Sequence, residues 1–542
     1  MIRLLRYALS WLFVPLLLTR WAIARFSRKP SILLVNLEGS HPHRPTGGLL
    51  DRARPVLTRR ALRRALREAA RDRRVQTVQV RIGPLAGGHA TLYELREALR
   101  QGREAGLTIE AWLAWADTRT LWVASAASRV HVAPETLVLA TGLSAEMTFF
   151  GPALERAGVE VEVLAAGTFK SAMEPFSRRG PSDANRAAID ALLDDLHGRI
   201  VADLAAARGL EPAAVLAAFE AGPLSPAALV ERGLADAVTS EEAFFAEDPI
   251  PAWAYDGPPR PTPRWRARPR LAVVEVRGTI RDGAFEDPNP SGASIRAVCD
   301  SLERARKARR VRGVLLHVDS PGGSATASER MWHAVRKLAA EKPVVVWMGD
   351  VAASGGYYLA SAATAVVAAP GTLTGSIGVI MARVVADGLL SRLGLRRVRF
   401  QRGTHAGLLS PTRRLLPDER AAFERHIADT YQLFLDRVCT GRGREEAWLR
   451  PIAEGRVWTG TQALERGLVD ALGTEAEALR LLAEKAGVDP EVREIRLIQP
   501  KRTLISRLRP GALAPALEAL ELLQLAEESS ALAWCPVRLT PR

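Results

Sequence analysis

Two glycine-rich turns of the sequence place residues where they could carry out nucleophilic chemistry. Ser354 stands in GDVAASGGYYLASAA (349–363), between the end of an apolar run and an alanine-rich helical pattern. Glycines at such a turn allow strained backbone angles and exposed N–H groups, which suits a serine that attacks an acyl carbon. A second pair, Gly322-Gly323 in HVDSPGGSATAS (317–328), could supply an opposing N–H to an oxyanion. The Ser354 motif by itself is more typical of a helix cap.

Lysine usage indicates which residue could act as the base for such a serine. The chain has 7 lysines beside 68 arginines, so a position that tolerated arginine would be expected to carry it. Lys170, in GTFKSAMEPFSRRG (167–180), is therefore informative, because lysine can lose its proton when buried and arginine cannot. His317 lies within the alternating pattern of a predicted strand (311–318), so we expect it to be an ordinary strand residue. The histidines and three cysteines form no metal-binding motif, so we expect no metal.

The secondary structure predicted around these residues occurs twice in the chain. LWVASAASRVHVAPETLV (121–138) aligns without gaps with YYLASAATAVVAAPGTLT (357–374) at an offset of 236, and ERGLADAV matches ERGLVDAL further on. Each copy alternates apolar runs with helical stretches, which predicts an α/β fold with mostly parallel sheets flanked by helices. The repeats divide the chain into five predicted regions: an N-terminal membrane segment (1–29), a first repeat (30–250), a Pro/Arg-rich linker (251–269), a second repeat (270–500) and a Leu/Ala-rich tail (501–542).

The two copies retain different halves of the candidate site. At the offset of 236, Ser354 corresponds to Thr118, and Lys170 corresponds to Ala406. The first copy thus keeps the lysine without the serine turn, and the second keeps the turn without the lysine. We infer one active site to which both repeats contribute.

The net charge of +15 is concentrated outside the repeats. Residues 1–30 have six basic residues and no acidic one, and the stretches 251–270 and 501–542 bring the excess to +12, leaving +3 for the other 450 residues. A broad nucleic-acid-binding surface is therefore not expected.

The two ends of the chain have distinct apolar patterns. The thirteen mostly apolar residues Tyr7–Thr19 lie between arginines, which favours a membrane anchor or signal-anchor. A cleavable signal peptide and an amphipathic helix on the protein's own core remain open alternatives. In the tail, leucines at helical spacing predict a helix that packs on the body or on a neighbouring subunit.

Three motifs together, DSPGG, AASGGYYLA and GTFKSAMEPF, resemble the signal peptide peptidase A family in its long, tandem-repeat bacterial form. The resemblance implies a ClpP/crotonase-like fold and peptide cleavage by a Ser–Lys dyad without metal or cofactor. It implies Ser354 as nucleophile, Lys170 as general base and Ser376, in TGSIGV (374–379), as the residue that orients the lysine. The implied oxyanion hole consists of the N–H of Gly355 with that of Gly322 or Gly323.

The resemblance also implies a setting for the enzyme. We expect a homotetramer at the bacterial cytoplasmic membrane, with its catalytic body on the periplasmic side. Its substrates would be apolar peptides, remnant signal peptides among them, bound as an added strand. Two other functions stay open: a crotonase-type enzyme that acts on acyl-CoA, and an inactive membrane scaffold of the same fold.

Overall fold

The computed structural model describes residues 31–43, 57–255, 257, 270–282, 292–489, 494–497 and 532–534, with the single residues 15 and 19. The predicted anchor (1–29) and the predicted tail helix lie outside these residues, apart from the two single positions. Within the described part of the chain, no helix has both the length and the apolar content needed to cross a bilayer.

The chain forms two compact units. The first contains Met1–Leu143 and Leu196–Arg268, and the second contains Ser144–Asp195 and Pro269–Arg542. Residues 144–195, which the sequence repeat assigns to the first copy, thus belong to the second compact unit. Lys170 lies in this segment, so both candidate catalytic residues are in one unit.

The described secondary structure alternates strands and helices in chain order. The strands are β1 (Ser31–Ser40), β2 (Val75–Ala86), β3 (Thr108–Leu113), β4 (Ala116–Asp117), β5 (Arg129–Val132), β6 (Val138–Leu139), β7 (Glu160–Ala166), β8 (Ala237–Val238), β9 (Ile250–Pro251), β10 (Arg270–Arg277), β11 (Ile280–Arg281), β12 (Ala293–Ser294), β13 (Val311–Ser320), β14 (Gly322–Ser324), β15 (Val344–Ala353), β16 (Ala365–Ala368), β17 (Leu373–Gly375), β18 (Val379–Val385), β19 (Val457–Thr459), β20 (Ala471–Leu472), β21 (Glu494–Leu497) and β22 (Leu532–Trp534).

The helices follow the same alternation. They are α1 (Arg59–Ala70), α2 (His89–Glu104), α3 (Thr118–Ala124), α4 (Gly151–Ala157), α5 (Glu174–Ser177), α6 (Asp183–Arg208), α7 (Pro212–Glu220), α8 (Pro226–Glu231), α9 (Glu241–Phe244), α10 (Ile295–Lys307), α11 (Ala325–Ala339), α12 (Gly355–Ala360), α13 (Asp387–Arg392), α14 (Pro417–Arg442), α15 (Glu446–Leu449), α16 (Gly460–Glu465) and α17 (Glu475–Lys485), with 3₁₀ turns at Ala252–Ala254 and Arg450–Ile452.

The first unit is built on one parallel sheet. Its strand order is β8-β5-β3-β2-β1-β9, and every neighbouring pair in it is parallel. The arginine-rich helix α1 buries Leu62, Ala65, Leu66 and Ala69 on one face, so its arginines do not indicate a nucleic-acid site.

The second unit repeats this sheet. The path β20-β16-β15-β13-β10-β21 is parallel throughout and matches the first sheet strand for strand. The buried strand positions are mostly valine, leucine and alanine on both faces, as expected for a parallel sheet covered by helices. The predicted α/β class with two tandem repeats is confirmed.

A further sheet of the second unit has no counterpart in the first among the described residues. Its order is β12-β11-β14-β22-β18-β7. Strands β7 and β18 pair antiparallel over seven residues, from Val379↔Ala166 to Val385↔Glu160. The pair is reinforced by a buried ion pair in register, in which Arg383 Nη1 lies 2.7 Å from Glu162 Oε2. This sheet carries the second glycine pair of the candidate site, and Lys170 follows its strand β7 by four residues.

Candidate active site

The antiparallel pairing of β7 with β18 brings Lys170 to Ser376. Ala166, the last residue of β7, is opposite Val379, the first residue of β18. Lys170 follows Ala166 by four residues and Ser376 precedes Val379 by three, so both lie beyond the same end of the ladder. The strand register therefore places two residues that are 206 positions apart in the sequence side by side.

A parallel pair brings Ser354 to the same place. Ala353 at the end of β15 pairs with Gly375 at the end of β17, and each candidate serine is the next residue in its chain. The Ser354 N–H donates to the Gly375 carbonyl at 2.8 Å, which fixes the turn. Carboxyl ends of parallel strands are where α/β sheets place functional groups.

The three side chains meet at the lysine amine. Lys170 Nζ lies 2.8 Å from Ser354 Oγ, 3.0 Å from Ser376 Oγ and 2.9 Å from the Ser376 carbonyl oxygen. Lys170 is 5% exposed, Ser354 0% and Ser376 1%. The structure thus joins, within one chain, the three side chains that the sequence identified separately.

Backbone strain is concentrated at this point. Among the described non-glycine residues, positive φ occurs at Ser354 (53°), Ser376 (51°) and Glu454 (54°). Such angles cost on the order of 1–3 kcal/mol each and persist only where the surrounding structure enforces them. Two of the three residues contact the lysine amine, and the third holds the lysine's loop. This clustering is typical of a functional site rather than of a structural turn.

The helix-cap interpretation of Ser354 does not match its contacts. Ser354 is at the N-cap position of α12, but its side chain makes no capping hydrogen bond. In the first unit, the residue before the corresponding Thr118 is Asp117, which caps α3 through the N–H groups of Arg119 and Thr120. The first repeat therefore has an ordinary capped helix where the second presents a serine hydroxyl.

The turn that holds the lysine loop was not predicted from the sequence. The Glu454 carbonyl accepts the Phe169 N–H at 2.8 Å, and its carboxylate accepts the Thr168 N–H at 3.0 Å. A Cβ on Gly455 would lie 2.7 Å from Lys170 N, so only glycine fits there, as its φ of 76° also requires. An isolated Glu-Gly pair forms no recognisable motif, so the sequence alone does not identify this turn.

The same turn is anchored on both sides. The Glu454 N–H donates to the Tyr431 hydroxyl at 3.2 Å, and burial raises the pKa of Tyr431 to about 12, so it stays a neutral phenol. The Arg456 carbonyl accepts the Ser376 N–H at 2.7 Å, while its guanidinium lies 4.9 Å above the Phe169 ring and 4.5 Å from the Trp458 ring. Burial lowers the pKa of Arg456.

The lysine side chain borders a small cavity of about 10 Å³, large enough for roughly one water molecule. Its lining combines apolar residues of α6 with residues of the site, and these are Phe169, Lys170, Ser171, Asn185, Ala188, Ile189, Leu192, Ser376, Gly455 and Val457. The amine thus approaches the serines from a largely apolar pocket.

The candidate oxyanion glycines lie on two neighbouring elements. Gly322 and Gly323 form the start of β14, with φ of 104° and 149°. The Gly322 N–H donates to Ser320 Oγ at 3.2 Å. Gly355 opens α12 directly after Ser354, and a Cβ on its neighbour Gly356 would lie 2.8 Å from the Ser320 carbonyl. The glycines therefore allow α12 and the end of β13 to approach each other closely.

The remaining candidate residue of the sequence has a structural place. His317 lies in β13, is fully buried, and stacks on Trp347 with ring centroids 4.4 Å apart. It does not belong to the serine–lysine cluster, in agreement with its prediction as a strand residue.

The family model and three similar proteins indicate the same family. The model of peptidase family S49 matches residues 109–248 and 336–489, one segment in each repeat. "Serine protease SPPA, chloroplastic" of Arabidopsis thaliana is 29% identical over 508 residues, covering 90% of this chain and 73% of that protein. "Protease 4" of Salmonella typhi is 31% identical over 444 residues, covering 78% of this chain and 71% of that protein.

A shorter relative matches part of the chain. "Putative signal peptide peptidase SppA" of Enterococcus faecium is 33% identical over 195 residues, which is 36% of this chain and 57% of that protein. The acyl-CoA and scaffold alternatives do not fit these relatives. The chain belongs to peptidase family S49 and is a serine peptidase.

Proposed function

We propose that this peptidase cleaves apolar peptides with Ser354 as nucleophile and Lys170 as general base. The observation that carries the proposal is the 2.8 Å separation of Lys170 Nζ from Ser354 Oγ, with both side chains buried. A serine hydroxyl is a weak nucleophile and requires an adjacent base within hydrogen-bond reach. The lysine meets that geometric requirement.

The contacts of the Lys170 amine account for the direction of its lone pair. A neutral amine has two N–H donors and one lone pair. When the donors point to the carbonyl and the hydroxyl of Ser376, at 2.9 and 3.0 Å, the lone pair is left for the proton of Ser354. Ser376 would therefore orient the base and not react itself.

The reaction that follows is acyl transfer. The Ser354 oxygen attacks the peptide carbonyl as its proton moves to Lys170, and the lysine returns that proton to the leaving amine. Water then hydrolyses the ester to regenerate the serine. We assign stabilisation of the oxyanion to the N–H groups of Gly355 and Gly323, because the Gly322 N–H already donates to Ser320. No metal or cofactor takes part.

The substrate class and setting extend the proposal. The relative named as a signal peptide peptidase supports remnant signal peptides as substrates. Extended apolar peptides would bind by adding a strand at the β14 and β18 edges, next to the serine. The apolar, arginine-flanked N-terminal segment supports attachment to the bacterial cytoplasmic membrane. From the family resemblance we further propose a catalytic body on the periplasmic side and a homotetrameric assembly.

Substrate class can be tested by comparing three compounds with the full chain. We expect a leucine- and alanine-rich peptide to be cleaved with a kcat/KM at least roughly tenfold above that of an equally long peptide in which aspartate and lysine replace the leucines. An acyl-CoA thioester should remain intact, and EDTA should have no effect. Products are identified by mass spectrometry. Acyl-CoA hydrolysis with both peptides left intact would contradict the proposal.

Removal of the Ser376 hydroxyl should weaken catalysis without abolishing it. We expect Ser376→Ala to lower kcat about 10–100-fold with KM unchanged. Of the two hydrogen bonds that the amine donates to Ser376, the one to the carbonyl remains in this variant. The pH at half-maximal activity should also shift, which a purely structural role would not produce.

Ser376→Gly is the matched variant for this test. It lacks the same hydroxyl but relieves the strain of a φ of 51°. Equal loss in the alanine and glycine variants supports the orienting role, whereas full activity in the glycine variant would attribute the effect to the backbone.

A further inference from the structure

A strand from the tail of the chain lies in the sheet beside the candidate site. Strand β22 (Leu532–Trp534) is inserted between β14 and β18 and is antiparallel to both. Trp534 is opposite Gly322, Ala533 is opposite Gly323, and Leu532 is opposite both Ser324 and Ile380. The tail therefore occupies a defined register and completes the hydrogen-bonded sheet.

This register coincides with the position that we propose for a peptide substrate. Strand β14 carries the proposed oxyanion donor Gly323, and β18 begins three residues after Ser376. The tail strand runs from Ser324 towards Gly322, and Gly322 is the end of β14 that adjoins β13 and the Ser354 turn. A substrate added as a strand would need the same two strand edges.

The composition of the tail strand also fits the site. The sequence Ala-Leu-Ala-Trp (531–534) is apolar, as the proposed substrates are, and Pro536 follows two residues later. Because the segment belongs to the same chain, its binding is intramolecular and does not depend on the protein concentration. Such a segment competes with free peptides even when its intrinsic affinity is modest.

We propose that residues 532–534 act as an intramolecular inhibitor that holds the peptide-binding edges of β14 and β18. The inference rests on the proposed function, since it takes these edges to be the substrate site. Peptides gain access only when the tail strand leaves, and their apparent affinity is lowered by the fraction of molecules in which the strand is bound. Cleavage is thereby restricted to conditions that displace the tail.

The test uses the full chain with Ser354→Ala, so that binding is measured without turnover. Ala533→Pro is added to displace the strand, because proline is not tolerated in a strand paired on both sides. Ala533→Val is the matched control, since it keeps the backbone N–H and a strong preference for strands. The probe is a fluorescein-labelled, leucine- and alanine-rich peptide, and its Kd is obtained from fluorescence polarisation.

We expect Ala533→Pro to lower the Kd roughly tenfold and Ala533→Val to leave it unchanged. An unlabelled peptide with the sequence of residues 526–538 should compete with the probe on the proline variant. An equal Kd for the proline and valine variants, or no binding to either, overturns the inference. Because the binding assay needs no catalysis, this result is independent of whether the wild-type chain cleaves peptides.

Intact-mass measurement separates inhibition from self-cleavage. We expect wild type and Ser354→Ala to keep the same full-length mass after prolonged incubation. Loss of the tail within residues 531–536 in wild type alone would make the strand a substrate, and would overturn its role as an inhibitor.

Discussion

Lys170→Arg is expected to reduce kcat for peptide cleavage by about 10²–10⁴-fold, the range that a positioned general base contributes. A guanidinium keeps its proton at every pH at which proteins fold, so it cannot accept the Ser354 proton. Arginine is also a close match in charge. A large loss therefore shows that the reaction needs a base at this position rather than a positive charge.

Two further variants complete this prediction. Lys170→Met keeps a long unbranched side chain in the apolar pocket but has no amine, and it should lose activity to the same extent. Ser354→Ala should lose more, on the order of 10⁴-fold or greater, because the nucleophile itself is removed. Lys337→Arg is the control, since Lys337 is an exposed helix residue of the same unit.

Activity as a function of pH gives an independent measurement. A base must be neutral to accept a proton, so kcat/KM of the wild type should rise with pH and level off once the amine is deprotonated. Labelling of Ser354 by a serine-reactive probe should follow the same curve and be absent from Ser354→Ala. Full activity in Lys170→Arg, or a rate independent of pH, would refute the serine–lysine pair.

The sequence predicted the fold class and the peptidase class because local patterns are enough to indicate both. Alternation of apolar runs with helical stretches is sufficient to indicate parallel sheets, and the duplication marks Ser354 and Lys170 as candidate halves of one site, each kept in only one copy. It did not predict that residues 144–195 belong to the second unit. That assignment depends on β7 pairing with β18, and long-range strand register leaves no local mark in the sequence.

The residues that the sequence missed act through the backbone. Glu454 holds the lysine loop largely through its main-chain carbonyl and an unusual φ, and neither depends on a recognisable motif. The tail strand was missed because leucines at helical spacing dominate the sequence before it, while three residues suffice to form β22. The site is therefore defined by side chains that composition can reveal and by backbone contacts that only the folded chain shows.

Gly323→Ala is expected to lower kcat by at least about 10²–10³-fold, the loss that follows removal of one oxyanion donor. Gly323 has a φ of 149°, and a Cβ there would lie 2.1 Å from the Ile280 carbonyl oxygen and 2.7 Å from Ile280 N. Both atoms belong to the backbone of β11, which pairs with β14 at this position. The methyl group can therefore fit only if β14 moves.

Movement of β14 changes the direction of the Gly323 N–H, on which the proposed oxyanion hole depends. We expect the thermal midpoint to fall as well, because the β11–β14 pairing is disturbed. Gly180→Ala is the matched control: a Cβ there meets no atom within 4 Å, so kcat and thermal midpoint should stay at wild-type values. Circular dichroism establishes whether the Gly323 variant is folded. A folded variant with an unchanged midpoint and at least half of the wild-type kcat would exclude Gly323 as a donor and leave Gly355 with a different partner.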